Sequence, residues 1–485
     1  MNTPTLTLFL VIILEGYVVL SAELLAIRQT IPYVGSSTDT VSIIIAAVLM
    51  PLALGYYAGG RFRPGFHAGS YLRVRDRLIT NILIAMLFLL CGLSYPLLSA
   101  FFIFLLDHGP NNRILLTACY ALLFLVTPVY LLGQTIPLIS NYFGKEKLAQ
   151  ITGRILFFST LGSFLGAILS TLVMMSIFGV NHTVSLLFVL LAGLIFLLGK
   201  KKLSRQTAAA TLLALIALAV NSDYVQGLLH IIKNNTYNTI MVTEDMGTRR
   251  LYLNNDSSSL FTDDKRKHDY IDFVERQTIL PILNSNPPKD ILVIGAGGFT
   301  FGYADSNNHY DFLDIDGSLQ QIAEEYLLKE PLTANKTFHP VPARAWLAGT
   351  GKHYDLIFMD VFQGNLTIPE HLVTREFFLQ IKEHLNPGGV MAANIAASPN
   401  FAGTFSRTID NTLRSVFPNL SRHLMHGQYQ AWNDNPDVVG NVIYLYRYSP
   451  EEDPDCIYTD NKNRVFYDRP TGRSGKLSTV GRLGM

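Results

Sequence analysis

At 485 residues and a net charge of +1, the chain is long enough for about two or three domains and offers no bulk charge that would attract nucleic acid. Its three cysteines, Cys91, Cys119 and Cys456, form neither a disulfide framework nor a zinc pattern. Composition divides the chain instead. Residues 1 to about 221 are strongly apolar with charges bunched in short clusters, and the remainder has the composition of a soluble protein.

In chain order, the apolar half predicts spans near 5–27, 38–60, 78–106, 113–142, 152–178, 180–199 and 207–222. The first is too long for a signal-peptide core and is expected to be retained. The last has only 14 uncharged residues, TAAATLLALIALAV. At about 1.5 Å of rise each, these reach short of a hydrocarbon core of roughly 30 Å. Arg61, Arg63, Arg73, Arg75 and Arg77 follow span two, Lys145, Lys147 and Arg154 follow span four, and Lys200, Lys201, Lys202 and Arg205 follow span six. The positive-inside rule puts these loops and the chain's first end in the cytoplasm, as expected of a multi-pass protein of the plasma (inner) membrane. A crossing seventh span would carry the soluble half outside. A nucleoside cofactor argues for the cytoplasm, so the sequence leaves that side open. Glu15 and Glu23 lie within span one, where carboxylates are costly and so are functional candidates. Gly162 and Gly166 give span five a small-residue packing face. The lipid bilayer is the partner this half implies.

The soluble half opens with a hairpin, a strand near Thr239–Thr243 turning at Asp245-Met246-Gly247 into Arg250–Leu253. Asn254–Asp264 reads as a polar loop, and the spacing of Ile271, Val274, Thr278, Ile279 and Ile282 predicts a helix over Asp269–Leu283. The stretch that organises this half is KDILVIGAGGFTFGYADSNNHYDFLDID, 289–316. Asp290–Ile294 is a continuous apolar strand of the kind covered on both faces. Gly295, Gly297 and Gly298 then allow a sharp turn and a close approach of a ligand to the backbone. A second strand ends in Asp314-Ile315-Asp316, with Asp314 spaced to accept hydrogen bonds from a ribose. Tyr354–Asp360 is a third apolar strand ending in a carboxylate, so two acids face one crevice of a parallel sheet. Thr374–Leu385 is an amphipathic helix, Val390–Asn394 a strand, Thr404–Val416 a helix, and Ser421–Met425 with Val442–Tyr448 an antiparallel pair. The polar segment from Ser449 on is expected to be disordered. The predicted organisation is a helical membrane domain at 1–222, a β-hairpin region with its helix at 233–284, an α/β Rossmann-like domain at 285–448 and a tail at 449–485.

EGYVVLSAELLAIR at 15–28 and ALGYYAGGR at 53–61, followed by RRLYLNND, ILVIGAGG, DID, YDLIFMD, LVTREFF and LNPGGV, resemble the spermidine synthase (polyamine aminopropyltransferase) family, in particular its membrane-fused bacterial branch. The resemblance covers nearly all of 5–448. It implies a methyltransferase-type Rossmann domain behind a small N-terminal β-hairpin region. The implied cofactor is decarboxylated S-adenosylmethionine, and the implied partner a small amine such as a polyamine. It makes Asp360 the catalytic base and puts Gly295, Gly297, Gly298, Asp314 and the neighbouring Asp316 at the cofactor. The resemblance also implies that Tyr270 lines the amine site. Three positions depart from the family pattern: Gln363 stands where a second aspartate is usual, Pro342 where an adenine-reading aspartate is usual, and Ser257-Ser258-Ser259 where a glutamine is usual. Asp264, with Asp263, Asp269 and Asp272, could supply a substitute carboxylate at the amine. Three functional expectations stand beside one another: an aminopropyltransferase, another transferase using S-adenosylmethionine, and a non-catalytic synthase-like domain attached to a cation-binding or transporting membrane domain. No metal is expected, since the histidines are scattered without ligand spacing. A homodimer is left open.

Overall fold

The structure is a computed structural model that describes residues 5–62, 70–109, 112–140, 148–199, 204–364, 367–398, 401, 403–425, 439–446 and 459–461. The tail expected to be disordered lies outside these residues except at 459–461. The chain forms two compact units, one of Met1–Val34 with Thr38–Asn238 and one of Gly35–Ser37 with Thr239–Met485.

The first unit is helical, with α1 (Thr5–Val34), α2 (Thr38–Gly60), α3 (Ser70–Leu93), α4 (Tyr95–His108), α5 (Arg113–Phe124), α6 (Val126–Gly133), α7 (Thr135–Ser140), α8 (Leu148–Ile168), α9 (Val180–Leu198), α10 (Arg205–Val220) and α11 (Asp223–Leu228). Among the described residues six helical stretches are long and apolar enough to cross a membrane, and a seventh counts if the pair bent by 42° at Leu125 is one span. The span expected over 78–106 is broken at Ser94, which caps α4 ahead of Pro96. A proline belongs in a first turn because it has no N–H to donate further in. The stretch at 207–222 is longer than its apolar core. Ser204 caps Thr207 N–H reciprocally, and the apolar run continues to Leu228. Helices α1 and α8 meet backbone to backbone: a Cβ on Gly162 would lie 2.1 Å from the Ile13 carbonyl oxygen, and one on Gly166 2.5 Å from that of Tyr17. Glycine at both positions is what lets the two backbones come this close. Past Ile168 the helix widens to a π-helix over Leu169–Phe178 and ends at Gly179, whose φ of +95° a side chain would resist. Strand β1 (Ile231–Asn234) closes the unit.

The second unit begins with β2 (Thr239–Asp245), β3 (Thr248–Leu253) and β4 (Asp256–Thr262), an antiparallel set. Where a polar loop was expected, the chain makes a second hairpin. Asn254 and Asn255 both adopt positive φ, 51° and 72°, the conformation of a two-residue turn that asparagine tolerates. Ser259 and Phe261 then point inward between more exposed neighbours. Helix α12 (Asp269–Thr278) follows and ends before Pro281, shorter than the expected helix to Leu283.

The main sheet has seven strands in the order β10-β11-β9-β8-β5-β6-β7. These are β5 (Asp290–Ile294), β6 (His309–Asp314), β7 (Lys336–Pro340), β8 (Tyr354–Met359), β9 (Leu385–Ala397), β10 (Leu420–Leu424) and β11 (Gly440–Tyr446). Strands β5 to β9 pair in parallel, and β10 and β11 add an antiparallel edge. Strand β7 had not been anticipated. Helices α13 (Leu319–Ile322), α14 (Ala343–Gly349), α15 (Arg375–Glu383) and α16 (Thr404–Arg414) connect and cover the strands. α15 starts where Thr374 accepts from Phe377 N–H, and it buries Phe377, Phe378 and Ile381. Each such side chain contributes about 2 kcal/mol of burial. The chain runs from β5 outward to β6 and β7, then returns to place β8 on the other side of β5. That reversal leaves a crevice at the carboxyl ends of β5 and β8, where open α/β sheets bind ligands.

Candidate active site

Strand pairing sets the site. Ile294 lies beside Met359, and Met359 beside Ala393. One residue further along each strand come Gly295, Asp360 and Asn394, side by side at the mouth of the crevice. Asp360 N–H donates to the Ile294 carbonyl at 2.8 Å. Gly295 has φ +94°, and a Cβ there would sit 2.1 Å from the Asp360 carbonyl oxygen, so the two strand ends meet only because position 295 has no side chain.

The glycine turn is held from β4. Gly298 N–H donates to Ser259 Oγ at 2.9 Å. At Gly297, with φ +50°, a Cβ would crowd the hydroxyls of Ser259 and Ser258 at 3.0 and 3.1 Å. The Ser257–Ser259 run, which departs from the family pattern, thus anchors the turn. On the other side Asp314 accepts from Ala296 N–H at 3.3 Å and from Asp316 N–H at 3.1 Å. Burial pushes the Asp314 carboxyl up to about 6, with the Asp316 carboxylate adding to the rise and the backbone N–H groups of Asp316, Ala296 and Ile315 opposing it. Asp316 is buried and accepts from both the N–H and the hydroxyl of Ser318, at 3.1 and 2.6 Å, so it shapes the turn into α13.

Asp360 is the centre of a second constellation. Its Oδ2 accepts from the Tyr270 hydroxyl at 2.9 Å and its Oδ1 from Asn394 Nδ2 at 3.0 Å. Burial pushes its carboxyl up to about 6, and the two hydrogen bonds oppose the rise. Among the described residues no charged side chain contributes to that shift. Burial, aided by Asp360, holds the Tyr270 phenol well above its ordinary range, so it stays protonated and donates. His268 stacks on Tyr270 with ring centroids 5.6 Å apart and 20° between planes. Burial pushes the imidazole down to about 4, so it is neutral at pH 7, and its Nε2 is buried without a hydrogen-bond partner.

The structure therefore brings Tyr270 to Asp360 and Asp314 to the glycine turn. It leaves Asp264 outside: that carboxylate is 74% exposed and paired with Arg266 at 3.0 Å. Pro342 caps α14. Asn394, His268 and Ser259 went unnoticed in the sequence. Asn394 is the most consequential, because Asp360 rests on it, and its Oδ1 is buried with no hydrogen-bond partner. Among the described residues no group of His, Cys, Asp and Glu is arranged to hold a metal ion.

The fold and site define a Rossmann-type sheet with a glycine turn and an adjacent half-buried carboxylate. No family model matches the chain. It is 36% identical over 164 residues to a polyamine aminopropyltransferase of Vibrio vulnificus, a match covering 32% of this chain and 52% of that protein. It is 25% identical over 241 residues to a polyamine aminopropyltransferase of Pyrobaculum calidifontis, covering 46% of this chain and 77% of that protein. Among solved structures it is similar to the spermidine synthase of Thermotoga maritima, at 16% identity and a TM-score of 0.33, covering 48% of this chain and 81% of that one. The chain thus spans about half the length of the Vibrio relative. On the sequence matches, the chain is similar to members of the spermidine synthase (polyamine aminopropyltransferase) family.

Proposed function

We propose that the protein is a membrane-bound aminopropyltransferase that uses decarboxylated S-adenosylmethionine and an amine acceptor, with Asp360 as general base. The carrying observation is a half-buried carboxyl near pKa 6 at the end of β8, held by two neutral donors and, among the described residues, by no cation. The residues also fit a nucleoside. Position 295 admits no Cβ, and Asp314 spends its oxygens on two backbone N–H groups while a carboxylate has about four acceptor sites. The sulfonium nucleoside, when bound, supplies an electrophilic carbon and leaves as the neutral thioether methylthioadenosine.

The chain's own residues handle the proton and the orientation. An acceptor amine arrives as an ammonium and cannot attack until it loses a proton. Asp360, ionised above about pH 6 and lacking a fixed counter-ion, attracts the ammonium and takes that proton. Tyr270 and Asn394 fix the plane of the carboxylate, so the nitrogen is held in line. Neutral His268 adds no positive charge to repel it. The test is release of methylthioadenosine by the purified full chain given the donor and a panel of amines, together with the mass of the product. Gain of an aminopropyl group, lost in Asp360→Asn, supports the reading. Gain of one methyl group would move it to S-adenosylmethionine chemistry, and no turnover with any amine would overturn it.

Hydrogen bonds within the helical unit support a sidedness. Asn181, at the start of α9, donates to the Asn221 carbonyl at the end of α10 at 3.1 Å. Asn221 donates to Ser94 Oγ at 3.0 Å, and Arg28 in α1 to the Asn235 carbonyl at 2.7 Å. One face thus collects the far end of α1, the break after α3, the start of α9 and the exit of α10. Arg61, Arg75, Arg77, Arg154 and Arg205 belong to the other ends of their helices. With those arginines cytoplasmic, the chain leaves the membrane on the outer side. A cysteine at Met246, which is 98% exposed, should then react with an impermeant maleimide in intact cells. Labelling only after lysis would place the soluble unit inside.

A further inference from the structure

We propose that Glu15 is a proton-binding site within the helical unit, reached along the α1/α8 interface from the end where both helices begin. The inference rests on the membrane reading of that unit and is independent of the transferase chemistry.

Glu15 lies in the middle of α1 and is only 2% exposed. No ion pair involves it among the described residues, and its Oε2 is buried with no hydrogen-bond partner. A bare carboxylate so placed is costly, so the group either holds a proton or receives a cation. The helices packed around it offer hydroxyls. Helix α8 brings Ser159, whose carbonyl would lie 2.6 Å from a Cβ on Gly16. Helix α2 brings Tyr56, which is within electrostatic reach of Glu15 and hydrogen-bonds Ser159. The charged groups flanking Glu15 on α1 and α8 are Glu23, two turns on along α1, and Arg154, five residues before Ser159, and α2 carries Asp39 in its first turn.

A groove lined by Phe9, Gly153, Arg154, Phe157 and Phe158 opens on the same interface. Phe9 is six residues before Glu15, about 9 Å along the helix. Beyond Glu15 the interface continues as hydroxyls. Ser170 donates to the Tyr17 hydroxyl at 3.0 Å, Ser21 and Ser170 share a hydrogen bond of 2.6 Å, and Ser21 donates to the Gly166 carbonyl at 3.4 Å.

The same interface decides what can occupy it. Cβ atoms at Gly162 and Gly166 would lie 2.1 and 2.5 Å from the facing carbonyl oxygens, so the helices touch through their backbones. A polyamine cannot pass such a contact. A proton, moving by exchange between hydroxyls and a carboxyl, needs no additional room.

The test is covalent labelling of the full chain in nanodiscs with dicyclohexylcarbodiimide, which adds across a protonated buried carboxyl to give an acylurea with no leaving group. Peptide mass spectrometry should find the adduct on Glu15, declining about tenfold per pH unit above its midpoint as pH rises from about 5 to about 9. Glu15→Gln should remove the adduct. If that variant fails to fold, the pH profile of the adduct on the wild-type Glu15 peptide, read at that peptide alone, gives a second readout. Absence of the Glu15 adduct across the range would overturn the site. Protection of Glu15 by excess spermidine would overturn the assignment to protons. Aminopropyl transfer lost while labelling persists would sink the transferase reading and leave this one standing.

Discussion

Two carboxyls at the mouth of one crevice, Asp314 and Asp360, are both half-buried and both pushed up to about 6 by desolvation, yet they are held in different ways. Asp314 is held by main chain, the N–H groups of Ala296 and Asp316, which cannot turn away. Asp360 is held by side chains, the phenol of Tyr270 and the amide of Asn394, which can rotate or flip. A carboxylate pinned by the backbone of the glycine turn is an architectural acceptor suited to fixed hydroxyls. One held by adjustable neutral donors can gain and lose a proton without disturbing the sheet. Under the proposed function, similar half-burial suits Asp314 to binding and Asp360 to taking a proton.

Exchanging each acid for its amide should separate these roles. Asp360→Asn removes the base but leaves partners able to adapt. Turnover should fall about 10³-fold, within the usual range for a general base, while donor affinity measured by calorimetry stays within about threefold. Asp314→Asn should do the reverse. Its amide N–H₂ must face a main-chain N–H, and a charged acceptor for the ribose is lost. Donor affinity should fall roughly 10- to 100-fold, since hydrogen bonds to charged groups contribute about 1.5–3 kcal/mol. Equal loss of binding in both variants would erase the distinction.

Much of this was legible in the chain. Asp290–Ile294 and Tyr354–Met359 read as covered strands because they have no polar face, and each hands over to a chemical group. α15 was legible because its apolar residues fall on one stripe. Asn394 was not, because it lies within an alanine-rich strand 34 residues from Asp360 and meets it only through the parallel register. β4 was missed for a related reason. Its serines have weak strand preference, and the asparagine pair that turns the chain shows its meaning only in its φ angles. Tyr270 came from the family resemblance, since nothing in its spacing points to an acid at the end of a distant strand.

Stability should record the same contrast. Folding raises the Asp360 carboxyl from 3.8 to about 6, so the folded state binds the proton more tightly than the unfolded chain. The resulting stability is complete below about pH 4 and is lost as pH rises through about 6, a difference of roughly 3 kcal/mol. Asp360→Asn removes that ionisation and should raise the melting temperature of the soluble unit at about pH 8 while changing little at about pH 4. Asp314→Asn should gain less at the higher pH, because its amide cannot satisfy both backbone donors. A larger gain at Asp314 than at Asp360 would mean that the main-chain bonds are weaker than their geometry indicates.

The smallest effect concerns the two donors on Asp360. Each favours the ionised form, so removing either should raise the carboxyl's pKa further. As a base, Asp360 acts when ionised, and the acid limb of the rate profile should therefore move to higher pH in Tyr270→Phe and in Asn394→Leu. A shift of about half a unit is expected for each, from a hydrogen bond of about 1 kcal/mol shared between the two protonation states. At about pH 8 both variants should retain rates within a few-fold of wild type, because the base is ionised there in all three proteins. Tyr270→Phe removes an oxygen at the amine as well, so it should also raise KM, whereas Asn394→Leu should shift the limb with KM nearly unchanged. A limb that stays in place in both variants would show that the base titrating in the profile is not Asp360.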